Sequence, residues 1–521
     1  VTDHGVTFTD NTSLTTNVAY SSFKDGIAVI EVTVRFTASD GEDSTSVEAT
    51  FKIYRTDYLY FSKNGTGNGL SPLTPRGASG GDINSAIDEA FNSNMKAVAI
   101  SEGTYEVTYA SSGGTHVQMK DGVSLYGGYS SSTFLRDRTQ YTTTIKNISH
   151  NADSTASYPS RAIEIMITNT ESVTIDGLTV VAGTDDTLNR SSVAILTGND
   201  ATGTISNNII TTQDNNINQM KGIKIKNSSF IIKNNIIKMK SCVNNGEDYT
   251  IFNGGILISG TGNNTIIGNR ISAGTAISTV ATRYAFTFGI RLEAYTGDTL
   301  IFNNIIVAGE SEAIDEAYES TKSITIFNAS GDIKIYNNTI INNISSKSSV
   351  GLEVTDSNPE IINNLIYITG TSASPYCVVE KGHPYPLFRN NNLYNTNSVN
   401  YYYDIQNDTS LNYITALNED IENGVSDIGS LLDWGNGGID PSSSFVSIGG
   451  TDGVINTIDD NNWQLTDTSH RWLRQGGQNL TSKLSGYDLV DIEGNPRTST
   501  VTETGMNANA GGWSMGAYEK D

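Results

Sequence analysis

The feature that most constrains this chain is a pair of asparagines inside a run of large apolar residues, as in IFNNIIVAGE at 301–310. The pattern Ile-x-Asn-Asn-x-Ile begins at Ile205, Ile232, Ile301, Ile335 and Ile361. Looser copies begin at Ile267 and Phe388, and glycine replaces asparagine after Ile175 and Leu125. The asparagines at 207, 234, 269, 303, 337, 363 and 390 are 26 to 35 residues apart, a period typical of a solenoid or propeller.

A second pattern precedes most of the asparagine pairs by 12 to 14 residues, as in GIKI from Gly222, GILI from Gly255 and GIRL from Gly289. Its period of two indicates a strand, so Ile223 and Ile225 are expected to point inward and Lys224 outward. Short strands without a helical stripe in each repeat predict a β-solenoid. Asparagine tolerates left-handed backbone angles, and coils stacked about 4.8 Å apart would let the amides bond to one another. The asparagine pairs are therefore predicted to form corners and an Asn ladder.

The two ends of the chain differ from the repeats. Strong alternation in GIAVIEVTVRFTASDG and SVEATFKIY predicts a small immunoglobulin-like or cadherin-like β-sandwich over residues 1–57. Residues 82–94 predict a helix with Asp82 as N-cap and an apolar face of Ile83, Ala86, Ile87, Ala90 and Phe91, which would cap the first coil. The β-helix is predicted over 58–395, and residues 396–521 are predicted to form its C-terminal end and cap.

Composition excludes several classes of function. The formal net charge is −24, from 32 basic and 56 acidic residues, and no basic stripe is present, which argues against a nucleic-acid partner. No apolar stretch approaches the roughly 18 residues of a membrane span. Cys242 and Cys377 match no metal or redox spacing, and the sequence leaves their pairing and the oligomeric state open. The chain starts at Val1 with neither Met nor a signal peptide, so we expect a trimmed form of an exported protein.

Unequal coil lengths indicate where a ligand would bind. Three consecutive coils carry about 20 residues between the asparagine corner and the next strand, and the other coils carry 13 to 15. Extra residues at one place in adjacent coils should stack into a wall beside one sheet, and one-sided insertions often form a binding face. Aromatic rings beside charged donors suit a sugar chain, although the rings could merely anchor the loops. The predicted ligand-binding residues are Tyr249, Arg283, Tyr284, Phe286, Arg291 and Glu293.

An enzyme using the same face is the alternative hypothesis. Outward positions of the sheet are predicted to be Glu164, Lys224, Leu257, Arg291, Thr325 and Glu353. A polysaccharide lyase could use Lys224 as the base at C5 of a uronate and Arg291, or a bound calcium ion, to neutralise the carboxylate. Glu310, Glu312, Asp315 and Glu316 could supply oxygen ligands for calcium, although they lack the spacing of a known calcium loop. The chain has no arginine-rich motif of the kind found in pectate-lyase-like sequences.

Several motifs resemble those of bacterial exported and surface proteins with parallel β-helix repeats, a group of adhesins and polysaccharide-active, pectin-lyase-like enzymes. They are YFSKNGTGNGLSP at 60–72, LYGGYSSSTFLRDRT at 125–139, and DIEGNPR at 491–497 followed by MGAYE at 515–519. The resemblance covers residues 58–521 and implies a right-handed, single-stranded, all-β parallel β-helix. It also implies export to the bacterial cell surface. We therefore predict an adhesin-like protein that recognises carbohydrate, with a lyase as the alternative.

Overall fold

A computed structural model describes most of the solenoid and parts of both ends. The described residues are 6–8, 18–20, 23–39, 42–77, 82–107, 116–147, 161–182, 191–212, 219–244, 250–280, 283–314, 319–344, 348–370, 374–382, 386–396, 402–404, 409–411, 445–447, 462–465, 478–497, 513–514 and 516–517. They form 41 strands and one helix. No helix in these ranges has the length and apolar character needed to cross a membrane.

The elements follow one another in short segments. The first are β1 (Val6–Phe8), β2 (Val18–Tyr20), β3 (Val29–Ser39), β4 (Ser44–Tyr54), β5 (Tyr58–Phe61), α1 (Ile83–Asn92), β6 (Ala97–Ser101), β7 (Gly103–Val107), β8 (Val117–Gln118), β9 (Ser124–Tyr129), β10 (Thr143–Asn147), β11 (Arg161–Thr168), β12 (Val173–Asp176), β13 (Thr179–Ala182) and β14 (Ser191–Gly198). Next are β15 (Thr202–Ser206), β16 (Ile209–Thr212), β17 (Gln219–Lys226), β18 (Ser229–Lys233), β19 (Ile236–Lys238), β20 (Cys242–Asn244), β21 (Ile251–Thr261), β22 (Asn264–Ile267), β23 (Arg270–Ser272), β24 (Thr275–Ser278), β25 (Ala285–Thr296), β26 (Thr299–Phe302), β27 (Ile305–Val307) and β28 (Glu310–Ala313). The last are β29 (Glu319–Ser330), β30 (Ile333–Tyr336), β31 (Thr339–Ile344), β32 (Ser348–Thr355), β33 (Glu360–Ile362), β34 (Leu365–Gly370), β35 (Ser374–Lys381), β36 (Leu387–Arg389), β37 (Asn392–Asn395), β38 (Tyr402–Asp404), β39 (Thr409–Leu411), β40 (Phe445–Ser447) and β41 (Asn462–Leu465).

The chain divides into two compact units. The first consists of Val1–Tyr105, Lys120–Thr144 and Thr174–Leu178, and the second of Glu106–Met119, Ile145–Val173 and Thr179–Asp521. In the first unit β5 pairs in parallel with β6, β6 with β9, and β9 with β12. These pairings bring strands far apart in the sequence into register, as successive turns of a solenoid do.

Helix α1 begins where the sequence predicts. The Asp82 side chain accepts a hydrogen bond from the Ser85 backbone N–H at 3.0 Å, which satisfies one of the free donors of the first turn. Ile83, Ala86, Ile87 and Ala90 are buried. The expected apolar face is wrong at one position, because Phe91 is 45% exposed and lies beyond the buried stripe.

The described part of residues 1–57 contains two antiparallel pairs, β1 with β2 and β3 with β4. The second is a long hairpin with 11 residues in each strand. Each pair forms a two-stranded sheet. The immunoglobulin-like sandwich stays a prediction.

The second unit is a parallel β-helix with three long sheets, which confirms the predicted all-β solenoid. The long sheet contains β8, β11, β14, β17, β21, β25, β29, β32, β35 and β38, and β39 ends it by pairing antiparallel. The second sheet contains β15, β18, β22, β26, β30, β33 and β36, and the third contains β13, β16, β19, β23, β27, β31, β34 and β37. The core is made of the inward isoleucines of these sheets, such as Ile223, Ile256 and Ile290, all fully buried.

The second asparagine of each corner is part of a continuous hydrogen-bonded chain. Each side-chain N–H donates to the amide oxygen of the next coil at 2.9–3.0 Å, through Asn208, Asn235, Asn269, Asn304, Asn338, Asn364 and Asn391. Every one of these side chains is buried. A buried amide is costly only when it is unpaired, so this row removes the apparent conflict between asparagine and the apolar core.

The first position of each corner has a left-handed backbone. The φ angle at this position lies between 50° and 59° in six coils, at Asn207, Asn234, Asn303, Asn337, Asn363 and Asn390. Gly268, at φ 66°, takes this position in the looser copy, so Asn269 belongs to the buried row and not to the first position. Gly177 has the expected positive φ of 74°, whereas Gly128 at 82°, not Gly127, has it in LYGGYS.

The C-terminal strap, residues 478–497 with 513–514 and 516–517, lies along several coils. The Asn337 side chain donates to the Ser514 carbonyl at 3.0 Å, and that of Asn363 donates to the Gln478 carbonyl at 2.7 Å. Asn303 bonds with both the Val490 carbonyl and the Arg497 guanidinium. A second core forms beneath the strap from Leu300, Phe302, Tyr336, Ile362, Leu480, Leu484 and Trp513. The C-terminal region therefore covers the middle of the solenoid as well as continuing past its last coils.

Candidate functional site

The extra residues of the three long coils form a fourth sheet, here called the wall sheet. Strands β20, β24 and β28 pair in parallel, with Cys242 beside Ala276 and Ala276 beside Ser311. The predicted wall is thus confirmed. The Asn253 side chain donates to the backbone carbonyls of Lys240 at 2.5 Å and Thr275 at 3.0 Å. These bonds connect β21 of the long sheet to β24 of the wall sheet and to the segment just before β20.

Three aromatic rings stack at the start of the long-sheet strands β21 and β25, which come after the wall-sheet strands β20 and β24 along the chain. Tyr284 stacks on Phe286 with ring centroids 5.3 Å apart and an angle of 9° between the planes. Phe286 stacks on Phe252 of the neighbouring strand at 5.4 Å and 15°. Tyr284 is 43% exposed, so one face or edge of the stack is open to solvent. Offset aromatic stacking stabilises such a group, and an exposed ring can also receive the apolar face of a ligand.

The outward row of the long sheet carries the predicted charged residues. In successive strands Lys224 pairs with Leu257, Leu257 with Arg291, Arg291 with Thr325, and Thr325 with Glu353. Lys224 and Arg291 are two strands apart, which is about 10 Å. Glu164 was expected in the same row, but this is wrong. Met166 pairs with Leu196, and Leu196 with Lys224, so the residue of β11 in this row is Met166, two positions after Glu164.

An ion network crosses three strands of this face. Glu353, 6% exposed, accepts a bond from the Lys322 ammonium at 2.7 Å and from the Lys381 ammonium at 2.6 Å. On β25 the Arg291 guanidinium donates to Glu293 at 3.1 Å. Two of these five groups are negative and three are positive, so the network and the neighbouring Arg291–Glu293 pair together carry a net positive charge in a chain of charge −24.

Burial changes the protonation behaviour of the network. Burial lowers the pKa of Lys322, the charges of Lys381 and Arg291 lower it further, and Glu353 acts in the opposite direction. For Glu353 burial alone would raise the pKa, but the two ammonium groups outweigh it and the net pKa is lowered. The physical cause in both cases is the placement of charges in a region with little water. Glu353 is thus held in its ionised form.

The other predicted site residues have varied positions. Arg283 precedes Tyr284 at the start of the segment leading into β25, and its backbone N–H donates to the Val280 carbonyl at 3.2 Å. Glu310 and Glu312 lie on β28 of the wall sheet. Tyr249, Asp315 and Glu316 lie outside the described residues. Across the described ranges, no three His, Cys, Asp or Glu side chains converge as metal ligands, and calcium stays a prediction. Cys242 and Cys377 are both buried, and neither forms a disulfide bond.

Lys322 and Lys381 are functional candidates that sequence reasoning missed. Lys322 lies three residues before the outward Thr325, so strict alternation would place it on the inner face. The alternation is interrupted at Ser323, which is fully buried and donates its hydroxyl to the Ile341 carbonyl at 2.9 Å. The small residues at this position, Gly222, Gly255, Gly289, Ser323 and Gly351, are the signal that could have revealed the interruption.

Comparison with known proteins adds little to this description. No protein-family model matches the chain, and no curated protein matches it. Among solved structures, the chain is similar to the A-module of mannuronan C-5 epimerase AlgE6 from Azotobacter vinelandii. The two have 14% sequence identity, the match covers 66% of this chain and 97% of that module, and the TM-score is 0.28. A likeness of this size carries no argument about the chemistry of this chain.

Proposed function

We propose that the outward face of the long sheet, from the aromatic stack to the ion network, binds carbohydrate. The observation that carries the proposal is the near-parallel stack of Phe252, Phe286 and Tyr284 at the start of the strand that also presents Arg291 and Glu293. Exposed rings cover the apolar faces of sugars, and charged groups bond hydroxyl or carboxylate groups. Phe286 and Arg291 are five residues apart on β25, about 16 Å, so a chain of several sugars would reach both.

The positive ion network favours a sugar chain that carries negative charge. Arg291 has a fork of donors suited to a carboxylate, and Lys322 and Lys381 surround the single buried carboxylate of Glu353. The acidic remainder of the chain would repel such a polymer at long range. Salt screens that repulsion beyond about 8–10 Å, whereas contacts within the site are affected less.

Export to the bacterial cell surface and an adhesin-like role belong to the same proposal. Their support is the set of motifs at 60–72, 125–139 and 491–519, and the location itself is open to a direct measurement. Protease treatment of intact cells, followed by immunoblotting, would detect surface display. Protection of the chain in intact cells, with digestion only after lysis, would contradict it.

Binding is testable on a glycan array that includes neutral and uronate-containing oligosaccharides. We expect wild-type protein to bind, Tyr284→Ala to weaken binding at least about tenfold, and Arg291→Ala to abolish binding of the charged ligands. Phe91→Ala is the matched control, because Phe91 is an equally exposed aromatic residue, 45% against 43%, on helix α1. Unchanged binding by both Tyr284→Ala and Arg291→Ala would show that the proposed site is wrong.

A lyase acting on the same face is the second candidate, and the buried Lys322 favours it. A lysine base must be able to lose its proton, and burial lowers the pKa of Lys322. In β-elimination the base removes the C5 proton of a uronate, the C4–O glycosidic bond breaks, a C4–C5 double bond forms, and the leaving oxygen takes a proton from water, with Arg291 beside the carboxylate. Lys224 remains the alternative base. Rising ultraviolet absorbance with anionic polysaccharides, lost in Lys322→Met or Lys224→Met, would establish this reaction, and no rise would leave binding as the function.

A further inference from the structure

The interior between the long sheet and the wall sheet contains three buried oxygen atoms that no group in the described part of the chain satisfies. They are Oδ1 of Asn253, Oγ1 of Thr287 and Oγ of Ser311. All three side chains are at most 1% exposed. A buried polar group without a hydrogen bond is costly, and native proteins leave few of them unpaired. Three such atoms in one region therefore need an explanation, which the carbohydrate site does not supply.

The strand register brings the three residues together. Asn253 on β21 pairs directly with Thr287 on β25, so the two side chains lie on the same side of the long sheet, on strands about 4.8 Å apart. On the wall sheet Ser311 pairs with Ala276, and both are fully buried. Glu312, the next residue of β28, is exposed, so Ser311 points into the interior, where β28 packs against β25.

The hydrogen bonds of Asn253 show what this position requires. Its Nδ2 donates to the backbone carbonyls of Lys240 at 2.5 Å and Thr275 at 3.0 Å. Both partners are acceptors, so they identify the nitrogen of the amide, and Oδ1 is left as an acceptor that needs a donor. Thr275 pairs with Glu310, which is therefore the wall residue opposite the same position of the next coil.

Two neighbouring coils differ at a pair of positions that face each other. The coil of β21 and β24 has Asn253 and Ala276, whereas the coil of β25 and β28 has Thr287 and Ser311. The hydroxyl of threonine is one bond closer to the backbone than the amide nitrogen of asparagine, and here it reaches no acceptor among the described residues. The coil with the shorter side chain is thus the coil in which the facing alanine is replaced by a second hydroxyl.

The following coil satisfies the same position by a different residue. Thr321 on β29 pairs with Thr287. Its hydroxyl donates to the Asn342 amide oxygen at 3.2 Å and lies 2.9 Å from the Ser349 hydroxyl. The Asn342 nitrogen in turn donates to the Thr321 carbonyl at 3.2 Å. An asparagine amide therefore occupies this part of the interior in the coil before Thr287 and in the coil after it.

We propose that Thr287, Ser311 and Asn253 form a binding site for one buried water molecule, which takes the place of the amide. Water donates two hydrogen bonds and accepts two, so it can donate to Oδ1 of Asn253 and accept from the two hydroxyls. Three bonds are typical of a buried water, and the uncharged ligands suit a neutral molecule. Phe252 and Phe286 directly precede Asn253 and Thr287, so the water joins the wall sheet to the strands that carry the aromatic stack. This inference is independent of carbohydrate binding.

Crystal structures of the full chain at about 1.2 Å resolution test the site directly. Wild type should show a water peak about 2.5–3.0 Å from both the Thr287 and the Ser311 hydroxyl oxygens. Thr287→Asn should fold and lose this peak, because the new amide occupies the position as Asn253 does one coil earlier. Wild type without the peak would overturn the proposal, and so would a peak that persists unchanged in Thr287→Asn.

Stability measurements test the same site by the sign of an effect. Thr287→Val keeps the shape of the side chain and removes the hydroxyl. If that hydroxyl bonds to water, the variant should lower the folding equilibrium constant about fivefold in urea denaturation, because the water loses a partner. If the hydroxyl is unpaired, removing it should leave the constant unchanged or raise it, which would overturn the proposal. Thr204→Val, at a partly exposed position of β15, is the matched control and should change the constant less than about twofold.

Discussion

The asparagine ladder and the ion network are both buried polar networks on the same solenoid, but they differ in one important respect. The ladder repeats in every coil from Asn208 to Asn391, is neutral, and bonds each amide to its counterpart one coil away. The network of Lys322, Glu353 and Lys381 occurs at one place, is charged, and joins residues of different types. Periodicity therefore separates polar residues that build the fold from those that need another explanation.

The physical reason lies in what each network requires of its neighbours. A neutral amide supplies donors and an acceptor, so identical residues can satisfy one another without limit along the axis. Charged groups of one sign repel, and stacking them at about 4.8 Å is unfavourable unless opposite charges intervene. A charged cluster must therefore interrupt the repeat. We interpret that interruption as the mark of the candidate site.

The largest expected effect comes from breaking the ladder at its centre. The Asn304 amide donates to the Ile266 carbonyl at 2.8 Å and to the Asn338 oxygen at 3.0 Å, and its oxygen accepts from Asn269 at 3.0 Å. Asn304→Leu leaves these partners buried without bonds, so we expect a loss of about 3 kcal/mol in the free energy of unfolding. Urea denaturation followed by circular dichroism measures it.

The control for this prediction is a substitution of similar size on the outer surface of the same sheets. Thr204→Leu changes a partly exposed position on β15 and should alter the free energy of unfolding by less than about 0.5 kcal/mol. If Asn304→Leu were equally neutral, the amide bonds would contribute nothing to stability and the distinction between the two networks would fail.

Removing the charge at the centre of the ion network should have the next largest effect. Glu353→Gln leaves Lys322, which is 19% exposed, beside Lys381 without a neutralising partner. We expect a loss of about 2 kcal/mol, below the range for fully buried pairs because the Lys381 side chain is 39% exposed. Chemical denaturation measures it, and Lys381→Gln, which keeps one ion pair intact, should lose less than about 1 kcal/mol. Equal losses in the two variants would mean that burial of Glu353 does not matter.

The sequence predicted the periodic parts of the molecule well. Asparagine corners, the coil length and the wall are all properties of a repeat, and each copy reinforces the same interpretation. A repeat also reveals its exceptions, which is how the three long coils and the candidate residues Tyr284, Phe286 and Arg291 were selected. Loop length alone was enough to predict that β20, β24 and β28 would stack.

The parts that could not be predicted depend on contacts between distant segments or on local breaks in alternation. Nothing in the repeat indicates that Asn303 would bond with Arg497, which is 194 residues away. The position of Lys322 follows from the interruption at Ser323. Glu164 was misplaced because the pairing of β11 with β14 aligns Met166, and not Glu164, with the row of Lys224. A single change of register moves a side chain to the other face of a strand, so alternation predicts poorly wherever it is interrupted.

The first asparagine of a corner should matter less than the second. Asn303 has φ 56°, and its side chain bonds with the C-terminal strap rather than with other coils. Asn303→Gly keeps the backbone angle accessible, as Gly268 does in its own coil, and loses the bonds to Val490 and Arg497. We expect a loss of about 1 kcal/mol. Asn303→Val, in contrast, should lose about 2 kcal/mol or more, because a β-branched residue is strained at positive φ.

Denaturation of these two variants distinguishes backbone strain from the loss of strap contacts. Asn303→Gly should also make the strap more susceptible to limited proteolysis, while the long sheet stays protected. If Asn303→Gly lost as much stability as Asn304→Leu, the two asparagines of a corner would have equivalent roles, contrary to the structure.

The smallest effect concerns pH and separates the charged network from the neutral one. Because the folded pKa of Glu353 is lower than its ordinary value of 4.5, its stabilising contribution is fully present above pH 4.5 and is lost as pH falls through the folded pKa. The stability difference between wild type and Glu353→Gln should therefore be constant from pH 7 to pH 5 and shrink by about 1 kcal/mol in more acid solution. The difference between wild type and Asn304→Leu should not change over that range, since no amide titrates. Parallel urea titrations at each pH measure both, and a pH-independent difference for Glu353→Gln would show that Glu353 does not titrate as an ion-paired carboxylate.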